Sequence, residues 1–308
     1  MNIHKIGAAL FAAAAGGILL LSATAAGAAV TPPRGHAGGH QASKSALFSP
    51  AAPRFLSSLP KGYTVVTGDF TAYPNTQVAG VAECPGTEQP VGGGAVASSS
   101  DLEVNLNSSY PDGAAWVADV SDASASSTGF TVYAVCMAHS PSYKVVRSSL
   151  TWVNSESVNS QAAVCPAHTS VTGGGAELQQ NITDVNINST VPNTFASGRT
   201  GWRVAMANSD PYSNSYYVYA VCRPKPAGYS IQTGPAQQLA AWSEGSAAVI
   251  CPGASVPIGG GGFTDYTTGD AWLTMNTSSP AVHSWVVFEN NYSVNVKAVA
   301  AAAVCAGT

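Results

Sequence analysis

Cys165-Pro166, then Gly173-Gly174-Gly175, then Asn188-Ser189-Thr190-Val191-Pro192, then Trp202 and Val221-Cys222 punctuate one stretch of this chain, and the same marks stand once before it and once after. The earlier copy reads Cys84-Pro85, Gly92-Gly93-Gly94, Asn107-Ser108-Ser109-Tyr110-Pro111, Trp116 and Val135-Cys136. The later copy reads Cys251-Pro252, Gly259-Gly260-Gly261, Asn276-Thr277-Ser278-Ser279-Pro280, Trp285 and Val304-Cys305. Cysteine to first glycine is 8 positions in every copy, Asn to Pro is 4, and Trp to closing Cys is 20. Only Cys to Asn (23, 23, 25) and Pro to Trp (5, 10, 5) vary, so insertions are expected in two loops.

Around these marks the chain divides into residues 63–142, 143–228 and 229–308, each opening with Tyr63, Tyr143 or Tyr229. The joins at 137–142 and 223–228 are short, which favours units packed on one another. Residues 1–28 read as a secretory signal, with Lys5, an apolar run from Ile6 to Leu21 and Ala26-Gly27-Ala28 as a cleavage pattern. Residues 29–62 mix Pro, Gly, Ser and Ala without periodicity and read as a disordered linker or tail, whose His36 and His40 would make a poor metal site. No later stretch approaches the ~20 apolar residues of a membrane-crossing helix, so no stable membrane insertion is expected once the signal is removed.

The local pattern is strand throughout. In the three Asn-bearing segments Leu102, Val104 and Leu106 alternate with Glu103, Asn105 and Asn107; Val185 and Ile187 with Asp184, Asn186 and Asn188; Leu273 and Met275 with Trp272, Thr274 and Asn276. Each is expected to be a half-buried strand with one polar side. Residues 130–136, 216–222 and 299–305 are apolar on both sides, which points to strands covered on both faces. With no capped amphipathic run in the mature chain, the expected fold is all-β.

Six cysteines, two per unit, in a chain expected to be exported point to disulfides, and the repeat selects Cys84 with Cys136, Cys165 with Cys222 and Cys251 with Cys305. Neither Cys-x-x-Cys nor interleaved His is present, so thiol chemistry and a metal cluster are not expected, and no cofactor is implied. The glycine triplets lead into Ala95-Val96-Ala97, Ala176-Glu177-Leu178 or Gly262-Phe263-Thr264, which read as strand, so they supply a bulge or a close backbone approach and not a phosphate cradle.

Net charge is −4, and nothing resembles the Lys/Arg clusters that bind nucleic acid. The charge is unevenly spread: residues 63–142 carry 8 acids and no Lys or Arg, 143–228 carry 4 and 6, and 229–308 carry 4 and 1. A solvated face is the plain reading of the acidic first unit; a weak cation site, or a dock for the basic segment with Arg34, Lys44, Arg54 and Lys61, is the functional one.

The histidines of the units, His139, His168 and His283, fall at non-equivalent places, and neither Gly-x-Ser-x-Gly nor His-Glu-x-x-His occurs, so no catalytic residue is nominated. Trp116, Trp202 and Trp285 share one place in every unit and read as core. Glu103, Asn105, Asn107, Asp184, Asn186, Asn188, Trp272, Thr274 and Asn276 are the candidate ligand-binding residues. Amides, carboxylates and an aromatic plate suit sugar hydroxyls and the apolar face of a pyranose, so the expected partner is a polysaccharide or cell-wall glycan, held weakly with avidity from three copies. A plain solvated face is the competing reading. Asn107, Asn181, Asn188, Asn276 and Asn291 also begin Asn-x-Ser/Thr sequons.

The order Cys-Pro, Gly-Gly-Gly, Trp, aliphatic-Cys behind an Ala-rich leader resembles the repeat of uncharacterised secreted actinobacterial proteins over residues 63–308. More distantly, Cys251-Pro252-Gly253 with the later glycines is similar to the repeat of vitelline membrane outer layer protein I, although the units here are longer and their cysteines further apart. That second resemblance implies a β-prism. The expected architecture is therefore three homologous, disulfide-closed antiparallel units about a pseudo-threefold axis, with three small β-sandwiches in tandem as the alternative. The expected function is that of a secreted, non-catalytic extracellular or cell-surface protein; an extracellular hydrolase and a structural coat or matrix protein are the alternatives.

Overall fold

A computed structural model describes residues 59–264 and 271–307; the expected signal at 1–28, nearly all of the expected tail and its histidines lie outside them. The first repeat contributes β1 (Thr64–Ala72), β2 (Thr76–Glu83), β3 (Gln89–Ala97), β4 (Val104–Asp112), β5 (Ala115–Asp122) and β6 (Thr128–Met137). In the second, β7 (Lys144–Arg147) and β8 (Thr151–Val153) share the place of β1. They are followed by β9 (Ser157–Val164), β10 (Ser170–Leu178), β11 (Val185–Thr194), β12 (Thr200–Asn208) and β13 (Asn214–Arg223). The third runs β14 (Ser230–Thr233), β15 (Gln237–Leu239), β16 (Ser243–Ile250), β17 (Val256–Thr264), β18 (Leu273–Pro280), β19 (Ser284–Asn291) and β20 (Lys297–Ala306). Among the described residues the fold is all-β and every strand pair is antiparallel.

Each repeat makes two three-stranded ladders. In the first, β6 lies between β1 and β3 while β5 lies between β2 and β4. The apolar closing strands β6, β13 and β20 are thus central, as their two-sided hydrophobicity requires, and Val135, Val221 and Val304 are fully buried. The ladders do not stay within their repeats. β4 pairs with β10 of the second repeat through Ser109 and Ala176, and β18 of the third pairs with β3 of the first through Thr277–Val96 and Ser278–Ala95. Between the second and third, the Thr264 amide donates to Ser189 Oγ at 3.2 Å, beside β11.

The glycine triplets are both a bulge and a close approach. The register of β10 on β13 slips between Val171 and Gly173, with the same slip in β3 and β17. A Cβ at Gly173 would strike the Val91 carbonyl oxygen of the first repeat, and one at Gly174 would strike Trp202 Cγ, so only glycine lets the strand lie there. The indole behind it is buried, and its Nε1 donates to Thr190 Oγ1 at 2.7 Å; Trp116 and Trp285 repeat this with Ser109 and Ser278, each at 2.9 Å. The three expected disulfides are present, with Cα atoms 5.7, 5.6 and 5.6 Å apart. Closing sequence separations of 52, 57 and 54 residues, each stabilises the fold by about 4 kcal/mol in the chain-entropy account.

The longer Pro-to-Trp spacing of the second repeat is the turn between β11 and β12, closed by Phe195 and Arg199. The longer Cys-to-Asn spacing of the third falls on a stretch containing residues 265–270, outside the described ones.

Candidate functional site

The Asn-bearing strands depart from the half-buried expectation. In β4, β11 and β18 the side that alternation marks as polar is covered by the next repeat, so Asn107, Asn188 and Asn276 are buried. Asn107 Nδ2 donates to the carbonyls of Ile182 and Val185 in the second repeat, at 3.0 and 2.6 Å. Asn188 Nδ2 donates to Leu273 of the third at 2.9 Å, and Asn276 Nδ2 returns to Val104 of the first at 2.8 Å. These amides link repeat to repeat. Buried and satisfied in this way, they do not form an open sugar-binding face, and their sequons, like that of Asn291, are closed to modification; Asn181 is exposed.

Two residues earlier along each strand, Asn105, Asn186 and Thr274 are also shielded, but they close the floor of a depression. Thr274 Oγ1 donates to Asn105 Oδ1 at 2.6 Å, where Asn290 Nδ2 also donates at 2.9 Å, and Ser121 Oγ donates to Asn186 Oδ1 at 2.6 Å. The Asn105 and Asn186 amides turn back on the carbonyls of Leu102 and Thr183, at 3.1 and 2.9 Å. Every floor side chain is therefore fixed by a partner.

Two positions earlier still stand Glu103, Asp184 and Trp272, all exposed, the indole at 55%. They rim the same recess of about 170 Å³, whose lining includes Tyr292 and Ser209. The structure thus brings together Glu103, Asn105, Asp184, Asn186, Trp272 and Thr274, two from each repeat, in one composite hollow. It places Asn107, Asn188 and Asn276 beneath it, where the three separate faces expected from the sequence do not exist.

Charge and aromaticity are graded around the rim. Burial, then the nearby Asp210 carboxylate, pushes the Asp184 carboxyl above its usual range. Burial, with Glu103 and Asp101 adding to it, pushes Tyr292 far above the usual phenol range, so its hydroxyl keeps its proton. Tyr292 receives Trp242 edge-on at 6.2 Å between ring centroids, and its amide donates to the Trp272 carbonyl at 2.8 Å. Trp242 is half exposed and left-handed, with φ 54°, at the turn position that Asn75 and Glu156 hold in the other repeats. A bulky residue there is strained, and such strain gathers at functional sites. Sequence reading missed Tyr292 and Trp242. The signal available was that two of the three tryptophans without counterparts, Trp242 and Trp272, belong to the third repeat, the other being Trp152 of the second.

Among the described residues no cluster of three or more His, Cys, Asp or Glu side chains could hold a metal ion, and no helix is long and apolar enough to cross a membrane. Compared with models of known protein families and with curated proteins, the chain matches none.

Proposed function

We propose that this chain is a secreted, non-catalytic extracellular protein whose three repeats close about a pseudo-threefold axis in a β-prism-like arrangement, and whose composite hollow binds a saccharide weakly. The closure is supported by bonds that follow one cycle. Tyr143 Oη donates to Pro90 at 2.8 Å, Tyr229 Oη to Val171 at 3.0 Å and Tyr63 Oη to Pro257 at 3.1 Å, so each repeat reaches the one before it and the first reaches the third. Three sandwiches in tandem would keep their ladders to themselves. The distant likeness to vitelline membrane outer layer protein I fits this closure.

The observation that carries the binding reading is the meeting of Trp272, Glu103 and Asp184 at one rim. An indole plate takes the apolar face of a pyranose, while carboxylates accept from its hydroxyls and the protonated Tyr292 donates. Drug-sized pockets run to roughly 300–1,000 Å³, so this smaller hollow suits one sugar residue or a chain end, with affinity drawn from repetition on a polymer. Glycan-array and cell-wall pull-down measurements test it: retention on a polysaccharide that disappears in Trp272→Ala supports the site. Failure to bind any polysaccharide, or undiminished binding by Trp272→Ala, removes it.

An extracellular hydrolase is the second reading, favoured by one observation, that Glu103 and Asp184 share the hollow as a glycosidase pair would. Release of reducing sugar by the wild type and not by Glu103→Gln would replace the first reading with this one.

A further inference from the structure

Where β5, β12 and β19 end, the three repeats carry Asp122, Asn208 and Asn291, opposite Val104, Val185 and Leu273 in their ladders. One side-chain oxygen does the same work in each. Oδ1 of Asp122, Asn208 and Asn291 accepts from the amide two residues on, at Ser124, Asp210 and Ser293, at 3.0, 2.8 and 2.9 Å. The other atom differs. Asn208 Nδ2 donates to the carbonyls of Val153 and Tyr212 at 3.2 and 2.8 Å. Asn291 Nδ2 donates to those of Leu239 and Asn295, at 3.2 and 2.9 Å.

In the first repeat that place belongs to Asp122 Oδ2, which cannot donate as a carboxylate, and this fully buried oxygen has no hydrogen-bond partner. The carbonyls corresponding to Val153 and Tyr212 are those of Ala72, by its ladder position opposite Thr128, and Ser126, four residues past Asp122. The correspondence sets the carboxylate oxygen against those carbonyls, of which that of Ser126 also accepts from Ser124 Oγ at 3.0 Å, and oxygen against oxygen in a dry interior is repulsive unless a positive species lies between them. Residues 63–142 contain neither Lys nor Arg to supply one. Beside this corner opens a depression of about 240 Å³ lined by Ser124, Ser126, Asp101 and further hydroxyl side chains, a route for an ion from solvent.

We propose that Asp122 Oδ2, with the carbonyl oxygens of Ala72 and Ser126, holds a hard cation of the Ca²⁺ or Na⁺ class, which does in the first repeat what an amide N–H does in the other two. An all-oxygen set of one carboxylate, carbonyls and hydroxyls is what such ions select. The site gives the acidic first repeat a role independent of the saccharide hollow.

The mature protein is stripped with EGTA, exchanged into choline chloride, and its thermal unfolding followed at constant ionic strength as CaCl₂ or NaCl replaces choline. The wild type is expected to gain at least about 2 °C with one of the two ions. Asp122→Asn, which installs the residue of the sister repeats, is expected to unfold at one temperature whatever the ion. Equal ion responses in wild type and variant would place binding elsewhere and overturn the proposal. A wild type indifferent to both ions would overturn it too. Should the variant not fold, equilibrium dialysis of the wild type decides: about one ion per chain supports the site, and none at millimolar Ca²⁺ or Na⁺ removes it.

Discussion

The second and third repeats share a framework and differ inside it. Trp202 and Trp285 sit in the same niche, and the Cys165–Cys222 and Cys251–Cys305 bridges close the same distance. Yet the slot opposite Ile187, filled by Met206 in the second repeat, is filled opposite Met275 by Glu289 in the third. The slot of Tyr216, whose hydroxyl donates to Asn159 at 2.9 Å, holds Val299. Glu289 is fully buried and neither carboxyl oxygen has a hydrogen-bond partner, so burial drives its pKa well above the ordinary carboxylate value. The strands, bridges and tryptophans hold the fold firmly enough for one repeat to carry an acid where the others carry Val120 and Met206. The third repeat is therefore expected to be the weaker core, and it carries Trp272 at the hollow and Trp242 against Tyr292 behind it.

Removing the shared indole gives the largest effect. Trp202→Ala and Trp285→Ala are each expected to lose about 3–5 kcal/mol in urea unfolding, since both indoles are fully buried against equivalent glycine and hydroxyl partners. A larger loss at Trp285 would break the comparison. Opening one bridge comes next, about 4 kcal/mol for Cys251→Ala with Cys305→Ala, and limited proteolysis should then cut the third repeat first; first cuts in the second repeat would reverse the ranking.

Glu289→Met, which restores the residue of the second repeat, is expected to stabilise by about 1–3 kcal/mol at neutral pH. The sign follows from the direction of the shift. With its folded pKa above the unfolded value of ~4.3, Glu289 leaves stability intact below pH ~4.3 and withdraws it, at up to ~1.4 kcal/mol per pH unit, as pH climbs to the folded pKa. Unfolding from pH 4 to 8 should show that decline in the wild type and a shallower one in the variant; parallel curves would show that the acid is harmless where it lies. The smallest effect belongs to Trp272→Ala, within about 0.5 kcal/mol of wild type in the same unfolding assay because the indole is exposed. A larger loss would make Trp272 part of the core of the third repeat and not of the hollow.

Much of this is written locally. The spacing of Cys84, Cys165 and Cys251 from their partners gave the bridges, the two-residue period gave the strands, and the recurrence of Trp116, Trp202 and Trp285 gave the core, because each depends on neighbours within one repeat. The hollow was half legible. Glu103, Asp184 and Trp272 stood out as polar or aromatic positions of equivalent strands, but Asn107, Asn188 and Asn276 carried the same alternation signal and proved to be buried.

By itself, then, the sequence determined that the chain is all-β, threefold repeated and closed by one bridge per repeat. Only the tertiary structure decided that ladders cross from repeat to repeat, that the innermost amides bond a neighbour's backbone, and that six side chains from the three repeats meet in one hollow, three on its floor and three on its rim. Alternation reports that the two sides of a strand differ. What covers each side depends on contacts more than 70 residues apart, such as Asn107 to Val185 or Asn276 to Val104, and no short window of sequence encodes them.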